Sequence, residues 1–156
     1  MTLAVPAHGA ILAMEQDPTG APNVFTDIAE IIAIDAPNVS REATETTPHN
    51  ANISVHTVSN RLLHGEMSLG INYLHDHATH DAATGLKNAL HDNETRGFRF
   101  RGDQGADGVD ELIISGKVLN FVPEDPVRTG QRQATVTIQP SGPFVDDGAT
   151  IGTVGA

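Results

Sequence analysis

The chain has no cysteine, no tryptophan, a single tyrosine and only nine lysine and arginine residues. Without thiols, disulfides and thiolate-held zinc are excluded, and folding needs no oxidising compartment. Aromatic residues make up 4% and hydrophobic residues 38% of 156 positions, so a one-domain chain of this length has a thin core that association with neighbours would complete. No stretch approaches the ~20 apolar residues of a membrane-spanning helix, and Met1–Ala13 lacks the basic head of a signal peptide. The composition therefore predicts a soluble protein without membrane insertion.

Positive charge is equally scarce. Twenty Asp and Glu against nine Lys and Arg leave a net charge of −11, with lysine only at Lys87 and Lys117. A surface of that sign repels a phosphate backbone and excludes ordinary nucleic-acid binding. It suits either a well-solvated protein in saline surroundings or a surface that DNA passes without being held.

What is present is β-patterning broken by turns, with fifteen Gly and nine Pro. In Glu66–Tyr73, Met67, Leu69, Ile71 and Tyr73 alternate with polar or small residues, the period of a half-buried strand. A His-rich joint, Leu74–Ala78, leads to one expected helix over Thr79–Leu90. Thr79 is its N-cap, Asp81 lies in its first turn, and Ala82, Ala83, Leu86, Ala89 and Leu90 form its apolar face. Gly97–Arg101 returns to period two. Strands are also expected at Ile-rich Phe25–Asp35, at Val39–Thr47, within Val109–Val122 and at Gln133–Gln139. In Val39–Thr47 neither face is apolar, which suits a wall facing water or another chain. Pro48–Leu63 reads as a long polar loop. The expected organisation is one domain over 1–156, with a core at about 24–142. Residues 1–22 form an N-terminal arm or edge strand. Residues 143–156 form a Gly-rich tail anchored by Phe144, Val145 and Ile151.

Candidate chemistry is sparse. His75, His77 and His80 invite a metal reading, since imidazoles two apart on an extended segment point to one side and His80 can fold back. The competing reading, a polar loop feeding a helix, needs no fourth ligand and is the one carried forward. Asp103–Gly108 echoes a calcium loop, but Gly105 and Ile114 stand where ligands are required, so a hairpin turn is expected. Phosphate-loop and nucleophile-elbow spacings are missing. The expectation is no catalytic residue, no cofactor and no enzyme activity.

The order of elements resembles a known family. An Ile-rich strand leads to the Thr- and acid-rich strand Glu42–Thr47 and a polar loop. Leu62–Tyr73 then looks like the turn-Gly-Glu-strand-Asn-Tyr segment of major tail tube proteins from long-tailed (siphovirus-like) bacteriophages or related archaeal tailed viruses. Asp76, His77 and Thr79–Leu90 match that family's joint and helix, and Phe98–Phe100, Ile114–Val118 and Ala134–Ile138 match its later strands. Two stretches depart from the pattern. Pro48–Arg61 is more polar and His-rich, and Asp147–Ala156 has no counterpart.

The resemblance implies a mainly β, β-sandwich or barrel-forming tail tube fold with one flanking α-helix and extended arms or loops. It implies a structural virion protein of the viral tail, assembled in the host cytoplasm, whose hexameric rings stack into a tube conducting the genome. Its partners would be further copies of itself, tail tip or baseplate and tail terminator proteins. In the lumen it would meet the tape measure protein and genomic DNA, without tight binding. On that reading the bore is lined by Glu42, Thr44 and Thr46, supported by either Thr135, Thr137 and Gln139 or Ser68 and Asn72. Ring stacking falls to Pro48, His49, Asn50, Asn52, His56, Asn60 and Arg61, together with the arm and tail. The alternatives are the inner tube of a contractile tail or secretion-like machine and, more remotely, a His-based metal-binding β-domain.

Overall fold

The computed structural model describes residues 11–20, 22–102, 111–124, 132–147 and 149–151. The turn expected at Asp103–Gly108 lies outside them. Among the described residues, eleven strands and one helix follow in order: β1 (Ile11–Glu15), β2 (Phe25–Asp27), β3 (Ile31–Asp35), β4 (Val39–Glu45), β5 (His56–His64), β6 (Met67–Asn72), α1 (Leu86–His91), β7 (Arg96–Arg101), β8 (Glu111–Pro123), β9 (Gln133–Pro140), β10 (Phe144–Asp146) and β11 (Ala149–Ile151). The fold is mainly β, as the alternation and the resemblance both imply.

The large antiparallel sheet runs β2-β1-β7-β8-β9-β6-β3, with β10 pairing β8 and β11. Its two terminal strands are β2 and β3, yet only Ile28, Ala29 and Glu30 separate them in sequence. Four residue steps reach at most about 14 Å, so the sheet must roll until its edges nearly meet. Residues 28–30 strap the seam: Ile28 N–H donates to Leu12 O on β1 (2.9 Å) and Asn72 N–H on β6 donates to Glu30 O (2.9 Å). The expected single strand Phe25–Asp35 is thereby split, and Glu30 takes a left-handed φ of 59°. Local β-propensity lost to closure of the roll.

The interior is filled by the residues the alternation marks. Met67, Leu69 and Ile71 of β6 lie beside Ile138, Val136 and Ala134 of β9, and all are buried. Leu12, Met14, Phe98, Ile114 and Val118 belong to the same cluster. Ile11–Glu15, expected in an arm or at an edge, is instead an interior strand hydrogen-bonded on both sides, by β2 and β7. Its run Leu12, Ala13 and Met14 is fully buried, which explains its lack of alternation. In the tail, Phe144 is buried in the same core, while Val145 and Ile151 are half-buried.

The helix is shorter than its periodicity predicts. Asp81 accepts the N–H groups of Ala83, Thr84 and Gly85 (3.1, 2.8 and 3.0 Å), forming a tight turn in place of a first helical turn. Those donors, Thr84 foremost, hold its carboxyl below the usual carboxylate value. Gly85 is required there, because a Cβ would lie 2.5 Å from Asp81 N. Thr79 caps nothing; its hydroxyl serves the strap instead. Ala82 and Ala83 are exposed, leaving Leu86 and Ala89 as the buried face of α1 against β8.

Candidate functional site

Val39–Thr47 and the following polar stretch build one object. β4 and β5 pair antiparallel as a separate two-stranded sheet that continues the roll where β3 runs into β4 and β5 into β6; at its base Leu62 packs against the core and His64 Nε2 lies 2.8 Å from Gly142 O. The register is unbroken across that junction: Asp35 opposes Ser68, Asn38 O accepts Gly65 N–H (2.8 Å), and Val39 opposes His64. One ribbon thus leaves the roll as a hairpin on the order of 30 Å long.

The expected loop Pro48–Leu63 is corrected accordingly. His56, Asn60 and Arg61 belong to strand β5, and only Thr46–Val55 forms the connecting turn, carrying Pro48, His49, Asn50 and Asn52. Thr46 N–H donates to Val55 O (2.7 Å), and Val55 N–H to the Thr47 hydroxyl (3.0 Å). Ser59, Asn60 and Arg61 bulge opposite Glu42, since Arg41 pairs Leu62 while Ala43 pairs Val58.

All seven residues of β4 are exposed. Glu42, Thr44 and Thr46 share one face with Thr57, and Thr46 Oγ1 lies 3.3 Å from Thr57 Oγ1. The other face is less polar than β4 alone suggests, because Val58 and Leu62 of β5 join Val39 and Ala43 there. Val58 is 55% exposed and Ile53, in the turn, 77%. A lone two-stranded ribbon is marginal in water, and this one has no partner among the described residues.

The remaining expected bore residues sit on the roll, not on the hairpin. Across β3, β6, β9 and β8, Asp35, Ser68, Thr137 and Asn120 form one cross-strand row; Ala33, Gly70, Thr135 and Val122 form the next. Ser68, Asn72, Thr135 and Thr137 are therefore neighbours on one outer wall, not alternatives. Gln139 lies at its end beside Lys117, its amide donating to Pro140 O (3.0 Å). Where Gly70 lacks a side chain, the wall has a depression of about 390 Å³ lined by Ala33, Asp35, Ser68 and Thr135.

The histidines serve the seam. His80 is fully buried; its Nε2 lies 2.8 Å from Ala29 O and its Nδ1 accepts Leu74 N–H (3.1 Å). His77 Nδ1 accepts Thr79 N–H (3.2 Å), and Thr79 Oγ1 accepts Ala29 N–H (3.2 Å). With both His80 nitrogens committed to backbone, the set His75, His77 and His80 does not converge on a common point. No group of three metal-ligating side chains occurs among the described residues.

Burial pushes the His80 pKa below its ordinary value; nearby His77 adds to this and Glu30 opposes it. A base depressed in the folded state binds its proton more readily when unfolded. Its stabilisation is complete above the unfolded pKa near 6.5 and is lost as pH falls below it. Urea titrations between pH 7.5 and 5.5 should show unfolding free energy falling with a slope of up to ~1.4 kcal/mol per pH unit. His80→Gln should flatten that slope. An unchanged slope would place the titration elsewhere.

By sequence, the chain matches no family model and no curated protein. Its fold does match solved structures. A chain from the tail of an empty GTA (gene transfer agent) particle with C6 symmetry superposes with a TM-score of 0.67 at 13% identity, over 97% of this chain and 100% of that one. A chain of the six-fold-symmetrised baseplate of the anti-feeding prophage gives 0.69 at 12% identity, covering 97% and 98%. The SPP1 tail tube chain gives 0.68 at 8% identity, covering 90% and 77%. This is the tail tube fold that the order of elements implies.

Proposed function

We propose that this protein is a structural subunit of a viral tail: copies associate into hexameric rings, and the rings stack into the tube that carries the genome. The observation that carries this reading is the β4–β5 hairpin. It is an exposed ribbon with an unbroken register into the roll, carrying Val39, Val58 and Leu63 in exposed positions, with no further strand beside it among the described residues. Clasping a neighbouring copy gives the ribbon the partner it lacks.

The wall of Ser68, Thr137, Asn120 and Thr135 supports the same reading. Its hydroxyls and amides offer DNA no row of cations, so phosphates would pass without the counterion release that produces tight binding. Whether that wall or the Glu42, Thr44 and Thr46 face lines the bore is decided by how copies pack, and we assign the wall. Tail tip, terminator and tape measure proteins are the further partners, and the virion tail, assembled in the host cytoplasm, is the location. Catalysis has no place in this function.

The similarity to a chain of the anti-feeding prophage baseplate favours one second reading: the inner tube of a contractile machine. Co-purification with a sheath protein separates the two.

Negative-stain electron microscopy across concentration and salt tests the proposal. Rings or hollow tubes with six-fold symmetry are expected, and more of them at high salt, because screening relieves the mutual repulsion of copies that each carry −11. A protein that stays monomeric up to millimolar concentration at every ionic strength would overturn it.

A further inference from the structure

Two cations converge on one aromatic ring beyond the ends of β6 and β9. Lys87 Nζ, on α1, donates to the Tyr73 hydroxyl (2.7 Å) and lies 5.0 Å from the centre of the Tyr73 ring. The Arg132 guanidinium carbon lies 5.4 Å from that same centre. Phe121 meets Tyr73 edge-on at 5.2 Å and stands 5.6 Å from Lys87 Nζ. The placement is fixed by backbone: Tyr73 N–H donates to Arg132 O (2.7 Å), and Arg132 Nε donates to Glu124 O (2.8 Å).

The charge balance is unusual. In a chain with more than twice as many acids as bases, two bases share one ring and neither has a carboxylate partner among the described residues. The aromatic faces offset part of the repulsion between them. Among the described residues, most of their hydrogen-bonding capacity is unused. An ammonium has three donors and a guanidinium five, and each group makes one described hydrogen bond.

We infer that Lys87, Arg132 and Tyr73 form a docking site for a side-chain carboxylate of a second copy of this chain. The inference rests on the self-assembling subunit proposed above and names where its copies are held. Copies carrying −11 repel one another, so association needs local sites where cations meet the abundant acids. Tyr and Arg in a half-buried setting are also the residue types that dominate interface energies. A carboxylate fits better than a phosphate chain, because the surrounding surface repels a polyanion while a single carboxylate on a neighbour enters alone.

The scarcity of lysine makes the test clean. A carbodiimide joins an amine to a carboxylate in contact with it, forming an amide while the reagent takes up the water. Apart from the N-terminus, only Lys87 and Lys117 can react. Treatment of assembled protein should give covalent dimers whose cross-linked peptides contain Lys87 bonded to an Asp or Glu of another copy. The double variant Lys87→Met, Arg132→Gln should lose that cross-link and assemble only at a protein concentration about tenfold higher or more, with the monomer's thermal midpoint within a few degrees of the parent. Lys87→Arg should assemble normally.

Parent assemblies without a Lys87 cross-link, or a double variant assembling at the parent's concentration, would overturn the docking site and leave the tube reading standing. If the parent never assembles, the tube reading itself fails. Salt-sensitive binding of a single-stranded oligonucleotide that vanishes in the double variant would overturn the carboxylate in favour of phosphate.

Discussion

Replacing Arg96 with alanine should cost about 3–5 kcal/mol, a large share of the ~5–15 kcal/mol that holds a domain of this size. Arg96 is the largest fully buried side chain, 1% exposed, on the core face of β7 beneath the helix. Its guanidinium donates to Thr84 O (2.6 Å), Asn88 Oδ1 (2.6 Å), Glu94 Oε1 (2.8 Å) and, at a longer 3.4 Å, Gly85 O. These partners span the turn before α1, the helix and the chain entering β7, so one side chain ties the helical unit to the sheet.

Removing it leaves a void and strands the Thr84 carbonyl and Asn88 amide oxygen without their donor. Arg96→Met separates the two effects, since it restores much of the volume and none of the donors. It should recover only a minor part of the loss. Urea unfolding followed by far-ultraviolet circular dichroism, and by the fluorescence of the single tyrosine, Tyr73, measures both. A methionine variant as stable as the parent would show that packing, not the donor fork, holds the helix.

Trimming the hairpin should have the opposite profile, with little effect on the subunit and a severe one on assembly. Replacing Thr46–Val55 by Asn-Gly closes β4 onto β5 through a two-residue turn of the type that matches strand twist. The described residues removed are polar or exposed and none lies in the core, so the monomer's stability should change by no more than about 0.5 kcal/mol. If the ribbon clasps the next ring, long tubes should disappear, with single rings or short stacks left. Size-exclusion chromatography with electron microscopy reads this directly. Tubes of normal length would remove the turn from the stacking contact. The cut must stop at Val55: extending it to Asn60 would strip half of β5 and leave Ala43, Thr44 and Glu45 unpaired.

The two predictions differ because the chain divides its work. The roll is closed and self-sufficient, with Thr79 and His80 holding the seam strap from one side and Arg96 holding the helix from the other. The hairpin and the Lys87 platform contribute little to the fold and present their groups outward. A change in the first set is read as stability, and a change in the second as assembly.

Much of this was legible in the sequence wherever a residue's environment is fixed by its near neighbours. The alternation of Met67, Leu69 and Ile71 and of Ala134, Val136 and Ile138 marked the interior of the sheet, because a strand with one face buried must repeat every second residue. The absence of an apolar face in Glu42–Thr46 marked a segment outside any core of its own. The order of elements marked the fold. The rest was decided by contacts between distant segments. Asp81 captured the donors of Ala83–Gly85 and Thr79 turned to Ala29, so capping signals that suit a helix from Thr79 produced a turn, and the helix began at Leu86. β5 was hidden because a bulge at Ser59–Arg61 breaks its alternation and its exposure removes the apolar signal; pairing with β4 makes it a strand. Leu12–Met14 looked like an arm because a strand buried on both faces has no period. The sequence read His80 as part of a polar loop; closure of the roll instead buried it and gave both its nitrogens to backbone. Period-two alternation was enough to mark the strand residues that avoid water, but not the burial of Thr79, His80 and Arg96. Which partner each polar side chain meets followed from the fold, because those hydrogen bonds reach up to 82 residues along the chain.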